Sequence, residues 1–269
     1  MTAWNVIADS KYGNPNTTIA VGAHADSVYA GPGINDDGSG VVGLLEVAEN
    51  LANYRTNNNV RFHFWGGEEF GLLGSYYYTE QLTQAERDSI RLYLNFDMIA
   101  SPNYYLGIYD GDGSAFNQSG PPGSAEAEAF FENWFEEAGL PTVPSAFTGR
   151  SDYGPFLDVG IAAGGLFTGA DQIKTEEWVE LFGGVAGEAL DQCYHLECDD
   201  FDNLDFDAFV PMTKAIAAAV AEYGTTFDSL PAVNTTTLAN RKRSADLWKR
   251  VEKRSHGGTC MHSAHRIAK

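Results

Sequence analysis

The chain has 269 residues, 43% of them hydrophobic, with 16 Phe, 13 Tyr and 5 Trp. That is enough apolar material to bury one full core, which excludes a disordered protein, and no run approaches the ~20 apolar residues that span a bilayer. A formal charge of −20 argues against nucleic acid and anionic membranes as partners.

The acid is unevenly spread. Residues 1–237 hold 35 of the 37 Asp and Glu but eight of the 17 Lys and Arg, a net −27. From Leu238 onward nine bases (Arg241, Lys242, Arg243, Lys249, Arg250, Lys253, Arg254, Arg266 and Lys269) face only Asp246 and Glu252. The opening MTAWNVIADSKYG lacks the charged and apolar regions of a signal peptide, so the protein is either cytosolic or read here without a leader.

In chain order, Thr18–Gly22 reads as a short strand and Ser39–Tyr54 as a helix, with Val42, Leu45, Ala48 and Leu51 on one face. Val60–Trp65 and Arg91–Asp97 follow as strands, Ala125–Ala138 as a helix, and Gly160–Phe167 as a buried strand of small residues. Ala208–Tyr223 is an apolar closing helix, and the pattern stops after Leu230-Pro231. Residues 232–269 read as a polar, basic, flexible tail with one short helix through Asp246–Val251. Strand–helix alternation without an internal linker predicts one α/β domain whose largely parallel sheet is covered on both faces.

In such sheets functional groups gather at the carboxyl ends of strands. The first strand runs into His24 and Asp26, the second into Glu68 and Glu69, the third into Asp97, while Asp36 and Asp37 lead into the first helix and His195 comes late. Singly, each has a plain explanation: a hydrogen-bonded histidine, a helix N-cap, a solvated acid pair. Together they are harder to dismiss, because buried sheet ends rarely tolerate several unpaired carboxylates. A cation accounts for all of them. Histidine with Asp and Glu and no thiolate suits zinc or a related first-row metal, since calcium and magnesium do not recruit histidine. Asp26 is spaced to accept the ring proton of His24, and the adjacent Glu68 and Glu69 suit a division between general base and ligand. Cys193 and Cys198 lie close together and Cys260 alone; by count, three unrelated thiols fit as well as a bridge. Asn16, Asn117 and Asn234 open N-glycosylation triplets, which lean toward a secretory route.

The blocks GAHADSV, GPGINDDGSGV, FWGGEEFGLLGS, YLNFDMIASPN, GRSDYGPF, GGLFTGA and FGGVAGEALDQCYHLECD run in order through residues 18–223. They resemble the M28 zinc aminopeptidases, above all the fungal vacuolar or secreted leucine aminopeptidases and aminopeptidase Y-like enzymes. The resemblance implies the zinc-dependent exopeptidase fold, a three-layer α/β/α domain around a mixed, mostly parallel sheet. It implies two Zn2+, His24 and Asp97 holding one, Glu69 and His195 the other, with Asp36 between them. Glu68 matches the general base of a zinc-activated water, and Tyr194 the residue that steadies the oxyanion. Asp26 would orient His24, and Met98, Arg150 and Phe167 would line a pocket for a large apolar N-terminal residue. Cys193 and Cys198 match a short disulfide that pins Tyr194 and His195. The implied protein cleaves peptides with a free N-terminus, works as a monomer, is secreted or vacuolar, and carries glycans.

Relatives carry a leader, a helical segment and often a protease-associated domain, so residues 1–231 are expected to be a peptidase domain without its N-terminal part. The basic tail is expected to have no counterpart. Two other reactions on this fold fit less well. A carboxypeptidase for acidic C-termini needs a basic pocket, and a single-zinc glutaminyl cyclase would not need five ligands. A non-catalytic, peptidase-like binding module would have lost ligands, and none is missing.

Overall fold

The computed structural model describes residues 2–232 and, beyond them, Ala245 and Trp248. Along the chain come β1 (Val6–Asp9), β2 (Asn14–His24), α1 (Gly38–Leu51), β3 (Asn58–Trp65), α2 (Leu73–Gln81), α3 (Gln84–Ser89), β4 (Ile90–Phe96), β5 (Gly107–Tyr109), α4 (Ser124–Glu137), β6 (Val143–Ser145), α5 (Tyr153–Asp158), β7 (Ala163–Phe167), α6 (Glu176–Phe182) and α7 (Phe206–Thr225).

The strands form one sheet in the order β1-β3-β2-β4-β7-β5-β6. Four of its six pairings are parallel; β1 with β3 and β5 with β7 are antiparallel. The mixed, mostly parallel sheet expected from the sequence is thus borne out.

Period-two alternation sorts the central side chains into two layers. Ile19, Val21 and Ala23 of β2, Val60, Phe62 and Phe64 of β3, and Leu92, Leu94 and Phe96 of β4 face one way. They pack against Leu44 and Val47 of α1, Phe131 and Phe135 of α4, and Met212, Ile216 and Val220 of α7. The alternate positions Ala20, Trp65 and Tyr93 face the other way, against Tyr153, Phe156 and Leu157 of α5. Helices α1 and α7 carry apolar stripes because each must cover the sheet on one side only. Pro211 sits inside α7 at its sixth position, past the first turn, so α7 gives up one hydrogen bond there, to the carbonyl of Asp207.

Register then sets the site. His24 is level with Trp65, Gly22 with Asn95, and Phe96 with Leu166, so β2, β3, β4 and β7 end together along one edge. The short helix expected through Asp246–Val251 lies outside the described residues, apart from Trp248. Trp248 and Ala245 are helical and buried, and the Trp248 ring stands edge-on to Phe147 at 6.1 Å.

Candidate active site

Five predicted residues converge at that edge. His24, the last residue of β2, is buried and places Nε2 3.0 Å from Asp36 Oδ1 and 3.5 Å from Asp97 Oδ1. Asp36 lies in the turn before α1, and its other oxygen is 3.0 Å from His195 Nε2. That nitrogen is also 2.9 Å from Glu69 Oε2, and it is buried without an aligned hydrogen bond. Asp36 therefore stands between two imidazoles, with Asp97 on one side and Glu69 on the other. The orphaned nitrogen of His195 and the unpartnered Oε1 of Glu69 are what a cation site leaves behind when described by protein atoms alone. Donor chemistry agrees, because His24, Asp36 and Glu69 bring ligand atoms within 4.8 Å of one another. The residues fit a zinc-type metal.

The neighbours fix these groups. His24 Nδ1 donates to the backbone carbonyl of Asp26 at 2.9 Å, which leaves Nε2 as the lone-pair nitrogen. The Asp26 carboxylate, 3.9 Å from that ring, accepts instead from the amides of Gly67 and Glu68 at 2.7 and 3.0 Å. Asp26 thus holds both the histidine and the loop bearing Glu68 and Glu69. The far side of the same loop is clamped by Asn5, which accepts from the Gly66 amide and donates to the Gly74 carbonyl. Asp37 can be grouped with His24 and Asp97 as a ligand. Its oxygens already accept from the amides of His24, Gly40 and Met98, each at 3.0 Å, so it serves as a clamp joining β2, α1 and the end of β4.

A buried network that the sequence did not reveal ties Asp36 to His195. The amides of Asn35 and Asp36 donate to Asp199, Asn35 Nδ2 donates to Asp191, and Asn203 bridges both acids. Asp191 in turn accepts from the amide of Cys193. Cys193 and Cys198 form the expected disulfide, closing a small loop around Tyr194 and His195. Its loop is too short for a large entropic effect, so its contribution is mainly geometric. Met98 and His195 both adopt left-handed backbone at φ 56 and 60, a conformation that non-glycine residues keep where surrounding structure holds them. Cys260 lies outside the described residues.

The cluster opens into a cavity of about 290 Å3. Glu68 lines it beside Asp97, and its walls include Met98, Tyr105, Phe167 and Trp178. Tyr194 and Arg150 also face it, Arg150 Nη2 lying 3.3 Å from the Tyr194 hydroxyl and Nη1 3.0 Å from Asp171. A larger apolar groove of about 700 Å3 between α1 and α7 carries no such convergence of histidine and acid. Asp110 and Glu128, near Asp112, already accept backbone amides, so that acidic group has its own partners.

Electrostatics favour protons or a metal here. The carboxylates of Asp36 and Glu69 raise His195 to about 9. Burial opposes charge on His24, but Asp97 and Asp36 outweigh it and hold the imidazole well above its ordinary value. Burial likewise opposes charge on Asp36, yet the two imidazoles bring it down to about 2. Burial pushes Glu68 well above the usual carboxylate range and Asp152, behind it, up to about 7. A group raised on folding lends stability below its unfolded value and loses it as pH climbs through the folded one. The metal-free protein should therefore lose thermal stability from about pH 6.5 to about pH 9, as His195 gives up its proton. Metal binding requires that same deprotonation and strengthens across the window. A metal-free Tm that is flat or rising over this range, measured by calorimetry, contradicts the assignment.

The model of peptidase family M28 matches residues 5–220, and the chain belongs to that family. It is 55% identical over 258 residues to probable leucine aminopeptidase 2 of Aspergillus fumigatus, covering 96% of this chain and 52% of that protein. To probable leucine aminopeptidase 2 of Aspergillus oryzae it is 52% identical, covering 97% and 54%. The solved structure of BSAP, a zinc aminopeptidase from Bacillus subtilis, superposes with a TM-score of 0.65 at 26% identity, covering 81% of this chain and 49% of that one. The chain thus spans about half the length of the curated relatives it matches. The Aspergillus fumigatus match leaves only 11 residues unmatched and so reaches into the stretch after Leu238, which overturns the expectation that the basic tail has no counterpart.

Proposed function

We propose that the chain is the peptidase domain of a metal-dependent aminopeptidase that removes large apolar residues from the N-terminus of peptides. The observation that carries this is the placement of Glu68 and Tyr194 on one cavity with His24, Asp36, Glu69 and Asp97, with His195 against Asp36 and Glu69. His24 and Asp97 would hold one zinc, Glu69 and His195 a second, with Asp36 shared. When bound, zinc supplies Lewis acidity, lowering the pKa of a water and polarising a carbonyl oxygen.

The protein's own groups do the rest. Glu68, held by the Asp26–amide contacts, takes the proton of the attacking water and returns it to the leaving amine. Tyr194 donates its hydroxyl toward the developing oxyanion, and Arg150 beside it keeps that hydroxyl in place. Glu68 and Asp97 receive the free N-terminal amine. Met98, Phe167 and the aromatic wall of Tyr105 and Trp178 take the apolar side chain. Among the described residues that line the cavity, Arg150 is the one lysine or arginine, and it is already paired with Asp171, which disfavours a C-terminal carboxylate there.

No helix among the described residues is long and apolar enough to cross a membrane. The disulfide and the exposed side chains of Asn16 and Asn117, which open glycosylation triplets, support a secreted or vacuolar, glycosylated protein. The purified chain is expected to hydrolyse leucine p-nitroanilide, to spare N-acetyl-leucine p-nitroanilide, and to lose activity in a chelator. Cleavage of the blocked substrate, or cleavage that survives metal removal, sinks the proposal.

A further inference from the structure

Trp65, Tyr93, Asn95 and Ser151 lie outside the ligand cluster, yet a hydrogen-bonded chain through them ends on it. Trp65 Nε1–H donates to the Tyr93 hydroxyl at 2.8 Å, and that hydroxyl donates to Asn95 Oδ1 at 2.9 Å. Asn95 Nδ2 donates to Ser151 Oγ at 2.8 Å, and Ser151 donates to Asp97 Oδ2 at 2.5 Å. All four side chains are buried.

The far end fixes the direction. An indole N–H is a donor and never an acceptor. The Tyr93 oxygen must therefore accept from Trp65, and its single proton goes to Asn95. That choice orients the amide of Asn95, with oxygen toward Tyr93 and nitrogen toward Ser151. Ser151 Oγ, already accepting from Asn95, is left to send its own proton to Asp97. Each link polarises the next in a buried setting.

Two further features were needed to build this path. Trp65 on β3 reaches Tyr93 on β4 across β2, and the residue of β2 at the crossing is Gly22. A Cβ there would stand 2.3 Å from the Tyr93 hydroxyl and 2.7 Å from Trp65 Nε1, so a side chain at this position would close the crossing. The Tyr93 ring is also fixed, stacked on Phe156 with centroids 3.8 Å apart and planes 2° from parallel.

We propose that Trp65, Tyr93, Asn95 and Ser151 form a positioning relay that ties down Asp97 Oδ2 and presents Oδ1, on the His24 side, as the single oxygen offered to zinc. This rests on the zinc reading above. Without the relay the Asp97 carboxylate is free to turn and offer either or both oxygens. Partners of this kind typically alter metal affinity or activity by about 10–100-fold.

The test compares the full chain with three variants. Tyr93→Phe keeps the stacked ring and deletes two links. Asn95→Asp replaces the donor to Ser151 with an acceptor, so the serine proton is drawn away from Asp97. Tyr223→Phe alters an equally buried phenol on α7, off the relay. Zinc affinity is read by competition with a chelator, coordination by the visible spectrum of the cobalt-substituted protein, and kcat and KM on leucine p-nitroanilide.

The relay predicts zinc binding weaker by about 10-fold in Tyr93→Phe and about 100-fold in Asn95→Asp. It also predicts a changed cobalt spectrum, lower kcat and unchanged KM for both, with Tyr223→Phe matching the parent. Tyr93→Phe alone decides the matter if Asn95→Asp does not fold. Parent-like zinc affinity and cobalt spectrum in Tyr93→Phe overturn the relay and leave the zinc site standing. A parent protein that binds no zinc overturns both.

Discussion

Glu68→Gln is expected to lower kcat on leucine p-nitroanilide by about 10²–10⁴-fold, with KM and zinc content close to the parent's. The substitution is nearly isosteric, and the loop is held through the backbone amides of Gly67 and Glu68 by Asp26, so its path should persist. What disappears is a carboxylate that can take a proton and give it back. Glu68 suits that work because burial lifts it well above the ordinary carboxylate range, toward the pH at which transfer in both directions is efficient. Near-native kcat with two zinc ions bound would show that another group moves the proton.

Asp36→Asn should be more damaging, because one side chain serves both halves of the cluster. Its two oxygens lie 3.0 Å from His24 Nε2 and 3.0 Å from His195 Nε2. An amide offers one acceptor and a neutral donor in their place, so the two imidazoles lose their common anion. Loss of kcat/KM is expected on the order of 10³-fold or more, as several kcal/mol of charge stabilisation go with the metal. The fold should survive, because the Asp36 backbone amide, rather than its side chain, anchors the turn to Asp199. Full zinc content and activity within about tenfold of the parent would remove Asp36 from the centre of the site.

The parts read from sequence were those written in a regular period. β2, β3 and β4 are buried over most of their length, and α1, α4 and α7 carry apolar stripes, so hydrophobic spacing exposes all six elements. The face expected for α1 is wrong, however: Leu44 and Val47 are buried, while Val42 and Leu45 of the expected stripe are exposed. The carboxyl-end rule then brought His24, Glu69 and Asp97 together. β5 and β6 escaped because three residues each are too few to show a period, and β1 because all four of its side chains are exposed. Helix α2 buries only Gly74, Ser75 and Thr79, and α6 buries nothing, so neither has an apolar stripe to find.

The supporting residues of the site were hidden for another reason. Nothing in the local sequence singles out Asp191, Asp199 or Asn203, and only the folded chain brings Asp191 and Asp199 against Asn35 and Asp36, more than 150 positions away. The one signal was the density of Asp and Asn between 191 and 207, high for a segment exposed to no special demand. Asn5 gave none, since nothing local distinguishes it from any other polar residue before a strand. The role of Asp26 was half legible: its spacing tied it to His24, but its carbonyl rather than its carboxylate meets the ring. Trp248 was read as part of a flexible tail, and its indole is buried against Phe147.

The measurement that bears most directly on this site is zinc per chain, by elemental analysis of the monodisperse 269-residue protein after gel filtration in metal-free buffer. Two zinc ions per chain, falling to one or none in Asp36→Asn, is the predicted result. Zinc absent from the parent, or two zinc ions retained by Asp36→Asn, contradicts a shared centre built on His24, Asp36, Glu69, Asp97 and His195.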